Sequence, residues 1–303
     1  MLLRHGALLA VHLRQQWIKR NGEHMSLEGL PGLNHRNLAA ALLEVILAAG
    51  RIELGYYHTG VEVETKADDS PVTKADQEAE AVILAALARI APEIPVVAEE
   101  AASAGQIPDV GTRFFLVDPL DGTREFIHQR DEFTVNIALI EAGVAVFGMV
   151  YAPALEMLYV TLAADQAAEA KIAADAADVA NVTLESCGLQ PIHCRKMDMS
   201  GLTVVASRSH SNEETEAFLA KYEVRARTSA GSSLKFCVLA RGDADLYPRL
   251  APTMEWDTAA GHAVLAAAGG SVTTVDGGAF RYGKAAAGFL NPGFVAWGRH
   301  ADE

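Results

Sequence analysis

Apolar residues recur at intervals of three and four early in the chain, a spacing that places them on one face of a helix. The pattern begins after Asn37, which can cap a helix, and Gly50 is placed to end it. We therefore predict an amphipathic core helix between these two residues. Its buried face would consist of Leu38, Leu42, Leu43, Ile46 and Leu47.

A second helical pattern extends from Lys74 or Ala75 to about Ile90, and two prolines follow it. Short apolar runs bounded by Gly, Pro or acidic residues come next, as is typical of strands. Helix and strand patterns then alternate, which predicts an α/β or α+β layered fold. The predicted strands are 94–98, 114–117, 134–140, 144–150, 202–206 and 271–275, and the later helices lie near 212–222, 234–241 and 257–268.

An alanine-rich stretch between Leu162 and Ala180 interrupts this pattern and carries scattered acidic residues. We interpret it as an exposed helix or a surface insertion, and as the boundary region between two halves of the chain. The predicted organisation is an N-terminal α+β half over 37–200 and a C-terminal α/β half over 201–303. Residues 1–36 are interpreted as an N-terminal extension that is poorly ordered.

The extension differs from the rest of the chain in charge, because it holds five basic and two acidic residues and four of the ten histidines. Its apolar run, 6–13, is far shorter than the roughly 20 residues needed to cross a bilayer. No small-residue cleavage site follows, so we expect neither a transmembrane segment nor a secretory signal. Translation from a start upstream of Met25 is the alternative origin of this segment.

The chain of 303 residues carries 25 Lys and Arg against 39 Asp and Glu, a net charge of −14. Half of the residues are hydrophobic, which is typical of a globular protein with a sizeable core. The acid excess argues against a nucleic-acid binder, since such proteins neutralise phosphates with clustered Lys and Arg, but it leaves a small anionic ligand open. Cys187, Cys194 and Cys237 are too few and too irregularly spaced for a disulfide framework or a thiolate zinc site, and we expect a cytoplasmic protein.

Two acids three residues apart follow a predicted strand in the run LVDPLDGT at 116–123. Pro119 restricts the backbone, so that Asp118, Asp121 and the carbonyl of Leu120 can face one point. Oxygen ligands of this kind suit Mg²⁺. The alternative is a helix that Asp121 merely caps.

Further acids stand where α/β folds commonly assemble sites. Glu99 and Glu100 follow the end of a predicted strand, and Asp257 opens the predicted C-terminal helix. Alone, each would be a solvated surface acid or a helix cap. Several carboxylates that converge repel one another unless cations neutralise them, so their combination with Asp118 and Asp121 predicts a metal site.

Asp76 lies at the start of the second helix, where Thr73 can act as its cap. Paired with the hydroxyl of Thr123, Asp76 could instead take a proton from a water molecule and create a nucleophile. The backbone N–H groups of Gly122 and Thr123 lie at a helix start, an arrangement that accepts phosphate. Without the Thr123 partner, Asp76 would be a helix-start residue only.

The ordered set of motifs resembles the inositol monophosphatase superfamily, and within it the CysQ-type 3′(2′),5′-bisphosphate nucleotidases. The resemblance runs from about residue 37 to residue 294. The motifs that carry it are DSPVTKAD at 69–76, EE at 99–100, FLVDPLDGTREF at 115–126, EFTVNIALI at 132–140, YAP at 151–153, SRSH at 207–210, GSSLKFC at 231–237, LYPR at 246–249, WDTAAGH at 256–262 and FLNPGF at 289–294.

This resemblance implies a layered αβαβα sandwich of the inositol monophosphatase and sugar phosphatase type, and lithium-sensitive hydrolysis of the 3′-phosphate of adenosine 3′,5′-bisphosphate with two or three Mg²⁺ ions. It also implies 3′-phosphoadenylyl sulfate as a second substrate and a role in sulfate assimilation. Motif position carries three roles over to this chain. The ions would be held by Glu99, Asp118, Asp121, Asp257 and the Leu120 carbonyl, and the water would be activated by Asp76 with Thr123. The nucleotide would be contacted by Gly122, Thr123, Ser207, His210, Ser233, Lys235 and Arg249, of which Lys235 and Arg249 would receive its second phosphate.

Two other functions stay open at this point. A broader phosphatase of inositol monophosphate or fructose 1,6-bisphosphate would share the metal site, and a nucleotide-sensing protein would bind metal and nucleotide without turnover. The stretch 162–200 keeps none of the glycine-containing hairpin that the superfamily places after the YAP motif, and a homodimer face is one interpretation of it. A peripheral position at the inner membrane face is a further expectation.

Overall fold

Two large β-sheets, two short two-stranded sheets and three layers of helices make up the described part of the chain. A computed structural model describes residues 34–59, 63–65, 71–172, 182–206 and 213–299. The helices are α1 (His35–Thr59), α2 (Lys74–Ile90), α3 (Glu99–Ser103), α4 (Thr123–Ile127), α5 (Glu213–Leu219), α6 (Leu234–Ala240) and α7 (Trp256–Ala267). The strands are β1 (Val63–Thr65), β2 (Pro71–Thr73), β3 (Val96–Ala98), β4 (Arg113–Asp121), β5 (Thr134–Glu141), β6 (Val144–Ala152), β7 (Met157–Ala163), β8 (Gln166–Lys171), β9 (Gln190–Ile192), β10 (Leu202–Ala206), β11 (Val224–Ser229), β12 (Leu246–Arg249), β13 (Thr253–Met254), β14 (Ser271–Thr274), β15 (Leu290–Asn291) and β16 (Phe294–Trp297).

The larger sheet has seven strands in sequence order, β3 to β9. Its first pair, β3 and β4, is parallel, and every later neighbouring pair is antiparallel. The smaller sheet has five strands in the order β11, β10, β12, β16 and β14. The parallel start of the larger sheet brings the ends of β3 and β4 to the same edge, where both lead into acidic residues.

Alternation along β4 shows how the layers stack, because successive side chains of a strand face opposite sides of its sheet. Phe115 and Val117 pack into one apolar cluster with α1 and α2. Phe114 and Leu116 pack into another, which includes α6, α7 and one face of the smaller sheet. A third cluster joins α5 to the opposite face of that sheet. The order is therefore helices, sheet, helices, sheet, helix, which confirms the predicted αβαβα sandwich.

The alanine-rich stretch is not an exposed helix over its first part, contrary to the prediction. Strands β7 and β8 form an antiparallel hairpin with its turn at Ala164 and Asp165. Alanines 167, 168 and 170 are buried on both faces of the sheet, because helices cover each side. The hairpin predicted to be missing is therefore present, and a turn without glycine makes it. Residues 173–181 lie outside the described part of the chain.

The first helix also differs from its prediction. It continues nine residues beyond Gly50, to Thr59, and its first turn is capped by Asn34, whose Oδ1 accepts from Asn37 N at 2.8 Å. A Cβ atom on Gly50 would lie 2.6 Å from Cε1 of Tyr151. Glycine at this position therefore permits close packing of α1 on the sheet, and it does not end the helix.

Residues 1–33 lie outside the described part of the chain, and Arg36 of the predicted extension belongs to α1. The division at residue 200 stays a prediction. Among the helices that the structure describes, none combines the length and the apolar character needed to cross a membrane.

We expect Gly50→Ala to lower the free energy of unfolding by up to about 2 kcal/mol. The gain of up to ~1 kcal/mol in helix propensity is outweighed by the ~1–3 kcal/mol typical of overpacking a buried site. Gly55→Ala on the same helix is the matched control, because a Cβ there meets nothing within 4 Å and should be stabilising. Urea denaturation of both variants measures these changes in the free energy of unfolding. A Gly50→Ala variant more stable than wild type would contradict the packing role.

Candidate active site

The ends of β3 and β4 bring acidic residues together at one edge of the larger sheet. Ala98 pairs with Val117 in the parallel register, so that Glu99 and Asp118 follow side by side. The ladder between β4 and β5 is irregular after Asp118, which pairs with Asn136, whereas Asp121 pairs with Thr134. Three steps along β4 thus oppose two along β5. This bulge turns Asp118 and Asp121 to the same side of the sheet, although an odd spacing would separate them in a regular strand.

Asp118 is the most deeply buried acid of this group, with 1% of its surface exposed. Its Oδ1 accepts a hydrogen bond from Leu120 N at 3.0 Å, and its side chain also bonds to Glu99. Burial holds the pKa of Asp118 well above its usual range, and the charges of Glu99, Asp121 and Asp257 raise it further. The four acids therefore influence one another within one cleft.

Asp121 is held by residues that come more than a hundred positions later. Its Oδ2 accepts from Ser233 N at 2.7 Å, and its backbone carbonyl accepts from Ser232 Oγ at 2.9 Å. Gly122 has a φ of +93°, and a Cβ there would lie 2.2 Å from Ser232 Oγ, so glycine is required both by the turn and by this contact. Burial and the charge of Asp257 raise the pKa of Asp121 to about 7, against the opposing charge of Lys235.

Asp257 lies in the first turn of α7 and is held by the residues just before it. Its Oδ2 accepts hydrogen bonds from Thr253 Oγ1 and, at 3.2 Å, from Met254 N. Ser233 Oγ donates to the backbone carbonyl of Asp257 at 2.8 Å, which joins the loops of Asp121 and Asp257. Burial raises the pKa of Asp257, and its hydrogen bond with Thr253 and the charge of Arg249 act against this shift.

Glu255, just before α7, anchors this helix. It is completely buried and accepts from Gly283 N at 2.7 Å and from Lys284 N at 2.9 Å. The ammonium of Lys284 also donates to it at 2.9 Å. The start of α7, and with it Asp257, is therefore tied to the 283–284 loop.

Asp76 has two sets of partners at the start of α2. Its Oδ2 accepts from Thr73 N at 2.8 Å and from Thr73 Oγ1 at 2.6 Å, which completes a capping box. Its Oδ1 lies 3.3 Å from Oγ1 of Thr123. The hydroxyl of Thr123 is also 3.3 Å from the carbonyl oxygen of Leu120. Asp76 therefore both caps the start of α2, through Oδ2, and pairs with Thr123, through Oδ1.

The donor set consists of oxygen atoms, which is the chemistry that Mg²⁺ prefers. Within the described ranges, no group of three or more His, Cys, Asp or Glu side chains has the geometry of a metal site as it stands. The acids nevertheless raise the pKa values of their neighbours, and Asp118 is buried while Asp121 and Asp257 are half-buried. Buried, mutually repelling carboxylates fit divalent cations, which supply the charge that the cleft lacks. The residues suited to this role are Glu99, Asp118, Asp121, Asp257 and the Leu120 carbonyl.

Two basic residues stand beside these acids. The ammonium of Lys235 is buried and donates to the carbonyls of Ser232 at 2.8 Å and Ala230 at 3.3 Å. Burial lowers its pKa to about 8, although Asp121 opposes the shift. Arg249 donates to the carbonyl of Pro252 at 3.4 Å, whereas its buried Nε has no acceptor among the described residues. A free, buried guanidinium donor suits an anionic ligand.

Ser207 and His210 lie outside the described residues, so their predicted contacts stay predictions. The structure brings Asp76, Glu99, Asp118, Asp121, Thr123, Ser233, Lys235, Arg249 and Asp257 into one region through the contacts and charges above. Sequence reasoning did not select the residues that hold these groups, which are Glu80, Asn136, Ser232, Thr253 and Glu255. Asn136 lies directly across the ladder from Asp118, and its amide donates to Asp121 Oδ2 at 3.4 Å, so its place on the strand after the acidic loop is the signal that could have found it.

Comparison with known proteins agrees with this arrangement. The model of the inositol monophosphatase family matches residues 34–297. The chain belongs to this family. Members of the inositol monophosphatase family are metal-dependent phosphatases, typically with Mg²⁺.

Individual relatives narrow the comparison. The chain is 46% identical over 259 residues to the 3′(2′),5′-bisphosphate nucleotidase CysQ of Salmonella typhimurium, which covers 86% of this chain and 94% of that protein. It is 44% identical over 234 residues to CysQ of Escherichia coli K12, and this match covers 77% of this chain and 88% of that protein. The structure of CysQ from Bacteroides thetaiotaomicron, a bacterial member of the inositol monophosphatase family, is similar with a TM-score of 0.73 at 37% identity, covering 88% of this chain and 99% of that one.

Glu53 on α1 is a buried acid next to this site whose two carboxylate oxygens have no hydrogen-bond partner in the described structure. Burial and the charge of Asp76 hold its pKa well above the usual range. A raised pKa means that the stability contributed by the protonated group is complete below about pH 4.5 and is lost as pH rises toward the folded-state pKa.

We therefore expect wild type to lose stability relative to Glu53→Gln between pH 5.5 and pH 8, by up to ~1.4 kcal/mol per pH unit in the range that separates the two pKa values. Glu53→Leu should be more stable than wild type by about 2 kcal/mol at pH 8, because it removes an unsatisfied buried group. Urea denaturation at both pH values without Mg²⁺ measures this. Parallel pH dependence of wild type and Glu53→Gln would contradict the expectation.

Proposed function

We propose that this chain is a 3′(2′),5′-bisphosphate nucleotidase. It hydrolyses the 3′-phosphate of adenosine 3′,5′-bisphosphate to give AMP and phosphate, and it accepts 3′-phosphoadenylyl sulfate as a second substrate in sulfate assimilation. The observation that carries the proposal is the hydrogen bond of Asp76 to Thr123, directly beside the loop of Asp118 and Asp121. High identity to CysQ nucleotidases over most of the chain supports the choice of substrate.

The proposed reaction places water opposite the leaving ribose oxygen. The water oxygen forms a bond to phosphorus while the bond between phosphorus and the 3′-oxygen breaks. The hydroxyl of Thr123 accepts a proton from the water as it donates its own toward Asp76 Oδ1, so that Asp76 is the final acceptor. The departing 3′-oxygen takes a proton from solvent, which balances the reaction.

The remaining groups bind and orient the substrate. Backbone N–H groups of Gly122 and Thr123 at the start of α4 face the phosphate that is transferred. Glu99, Asp118, Asp121, Asp257 and the Leu120 carbonyl would hold two or three Mg²⁺ ions, which would neutralise charge on the phosphoryl oxygens and lower the pKa of a bound water. Arg249, together with Lys235, Ser233, Ser207 and His210, receives the rest of the nucleotide.

The test of this proposal is phosphate release from a substrate panel at fixed Mg²⁺ concentration, with and without Li⁺. We expect kcat/KM for adenosine 3′,5′-bisphosphate to exceed that for inositol 1-phosphate and fructose 1,6-bisphosphate by at least about tenfold, a difference of ~1.4 kcal/mol in transition-state binding. Li⁺ should inhibit. Equal or inverted specificity would indicate a broader phosphatase and not a nucleotidase, and binding of the nucleotide without turnover would indicate a sensing protein.

Arg249 offers a sharper test of the second-phosphate pocket than Lys235, because the ammonium of Lys235 already holds backbone carbonyls. We expect Arg249→Ala to raise KM for the bisphosphate about tenfold or more and to spare hydrolysis of 3′-AMP, since the second phosphate is missing there. Arg249→Lys should recover only part of the affinity, because it cannot bind bidentately. Equal losses on both substrates would argue against the pocket.

The proposal also places the enzyme in the cytoplasm. Homodimer formation and contact with the inner membrane face stay predictions from the sequence. Analytical ultracentrifugation of the purified chain and fractionation of cells measure these two properties.

A further inference from the structure

The helix that carries Glu99 is too short to hold itself in place. It has five residues, Glu99–Ser103, and the preceding Ala98 provides no side-chain cap. The first N–H groups of any helix lack partners inside it, and a single turn does not persist alone in water. The position of Glu99 therefore depends on an acceptor from elsewhere in the fold.

That acceptor is Glu80, a buried acid of α2. Its Oε2 accepts from Glu100 N at 2.8 Å, and its Oε1 accepts from Ala101 N at 2.9 Å. Glu80 is 5% exposed, so little water competes for these bonds. A carboxylate that receives two backbone N–H groups at a helix start is favoured both by hydrogen bonding and by the helix dipole.

Glu80 lies four residues after Asp76, and residues four apart share one face of a helix. This face of α2 thus reaches both the Thr123 hydroxyl, through Asp76, and the start of α3, through Glu80. Glu99 in turn bonds to Asp118. One helix therefore contacts both the partner of Asp76 and the short helix that carries Glu99.

We propose that Glu80 is a positioning residue, which caps α3 from outside and so holds Glu99 ready for a divalent cation. The inference rests on the proposed function in one respect, the role of Glu99 as a cation ligand. Glu80 itself touches neither substrate nor cation in this role. Loss of its carboxylate weakens cation binding because Glu99 must then be ordered at the moment of binding.

The test is Glu80→Gln, which has the same shape but only one acceptor oxygen for the two N–H groups. We expect its Mg²⁺ dissociation constant, measured by titration calorimetry without substrate, to rise about tenfold, the lower end of the effect typical for partners of metal ligands. The Mg²⁺ concentration for half-maximal activity should rise to the same degree. At saturating Mg²⁺, kcat should return to within about twofold of wild type.

Glu78→Gln is the matched control on the same helix, because Glu78 accepts from the hydroxyl of Tyr56 at 2.8 Å and does not bond to α3. It should keep wild-type Mg²⁺ affinity even where its thermal stability falls. If Glu80→Gln does not fold, Glu80→Asp decides, with at least threefold weaker Mg²⁺ binding expected from a side chain too short to reach both N–H groups.

Unchanged Mg²⁺ affinity of a folded Glu80 variant would overturn the inference, as would an equal loss in Glu78→Gln. These outcomes differ from failure of the proposed function, which would be seen in wild type itself as no preference for the bisphosphate or as binding without turnover.

Discussion

Repulsion among buried carboxylates is the constraint on which the site depends. Asp118 is buried and Asp121 and Asp257 are half-buried beside it, and removal from water raises the pKa of each. Backbone N–H groups and hydroxyls from separate elements hold these acids in place. The fold thus fixes anions in an unfavourable arrangement that cations relieve. An acidic protein can therefore bind a doubly phosphorylated ligand, because metal reverses the field in the cleft.

A few backbone features of the described strands make this arrangement of acids. One bulge in β4 turns two aspartates to the same side, and the parallel pairing of β3 with β4 adds Glu99 beside them. Helix α2 then positions Asp76 from one face of the larger sheet, and helix α7 positions Asp257 from the other face. Because Asp118 and Asp121 belong to the larger sheet, Asp257 belongs to helix α7, and Ser233 bonds to both Asp121 and Asp257, the packing of α7 on the sheet determines the geometry of the site.

Local signals explain what the sequence could predict. The DPLDGT run and the acids after a strand indicated a metal site, since neighbours in sequence there are neighbours in space. Glu80 escaped notice because its partners are backbone N–H groups of another segment. Thr253 escaped notice because nothing in the sequence marks its bond to the Asp257 carboxylate four residues later, and each residue alone resembles an ordinary polar residue. Gly50 was misinterpreted for the same reason, because the ring of Tyr151 that requires it lies a hundred residues away. The β7–β8 hairpin was missed because buried alanines also favour helices.

The hydrogen bonds of Ser232 and Ser233 to Asp121 affect the stage of synthesis at which the site can form. A chain emerges from the ribosome with its N-terminus first, so the aspartate loop of β4 exists well before these serines and Asp257 are made. A nascent chain that ends before Ser232 lacks the bonds that support the Asp121 loop, and it also lacks Asp257. The activity proposed above would therefore begin only when synthesis is nearly finished.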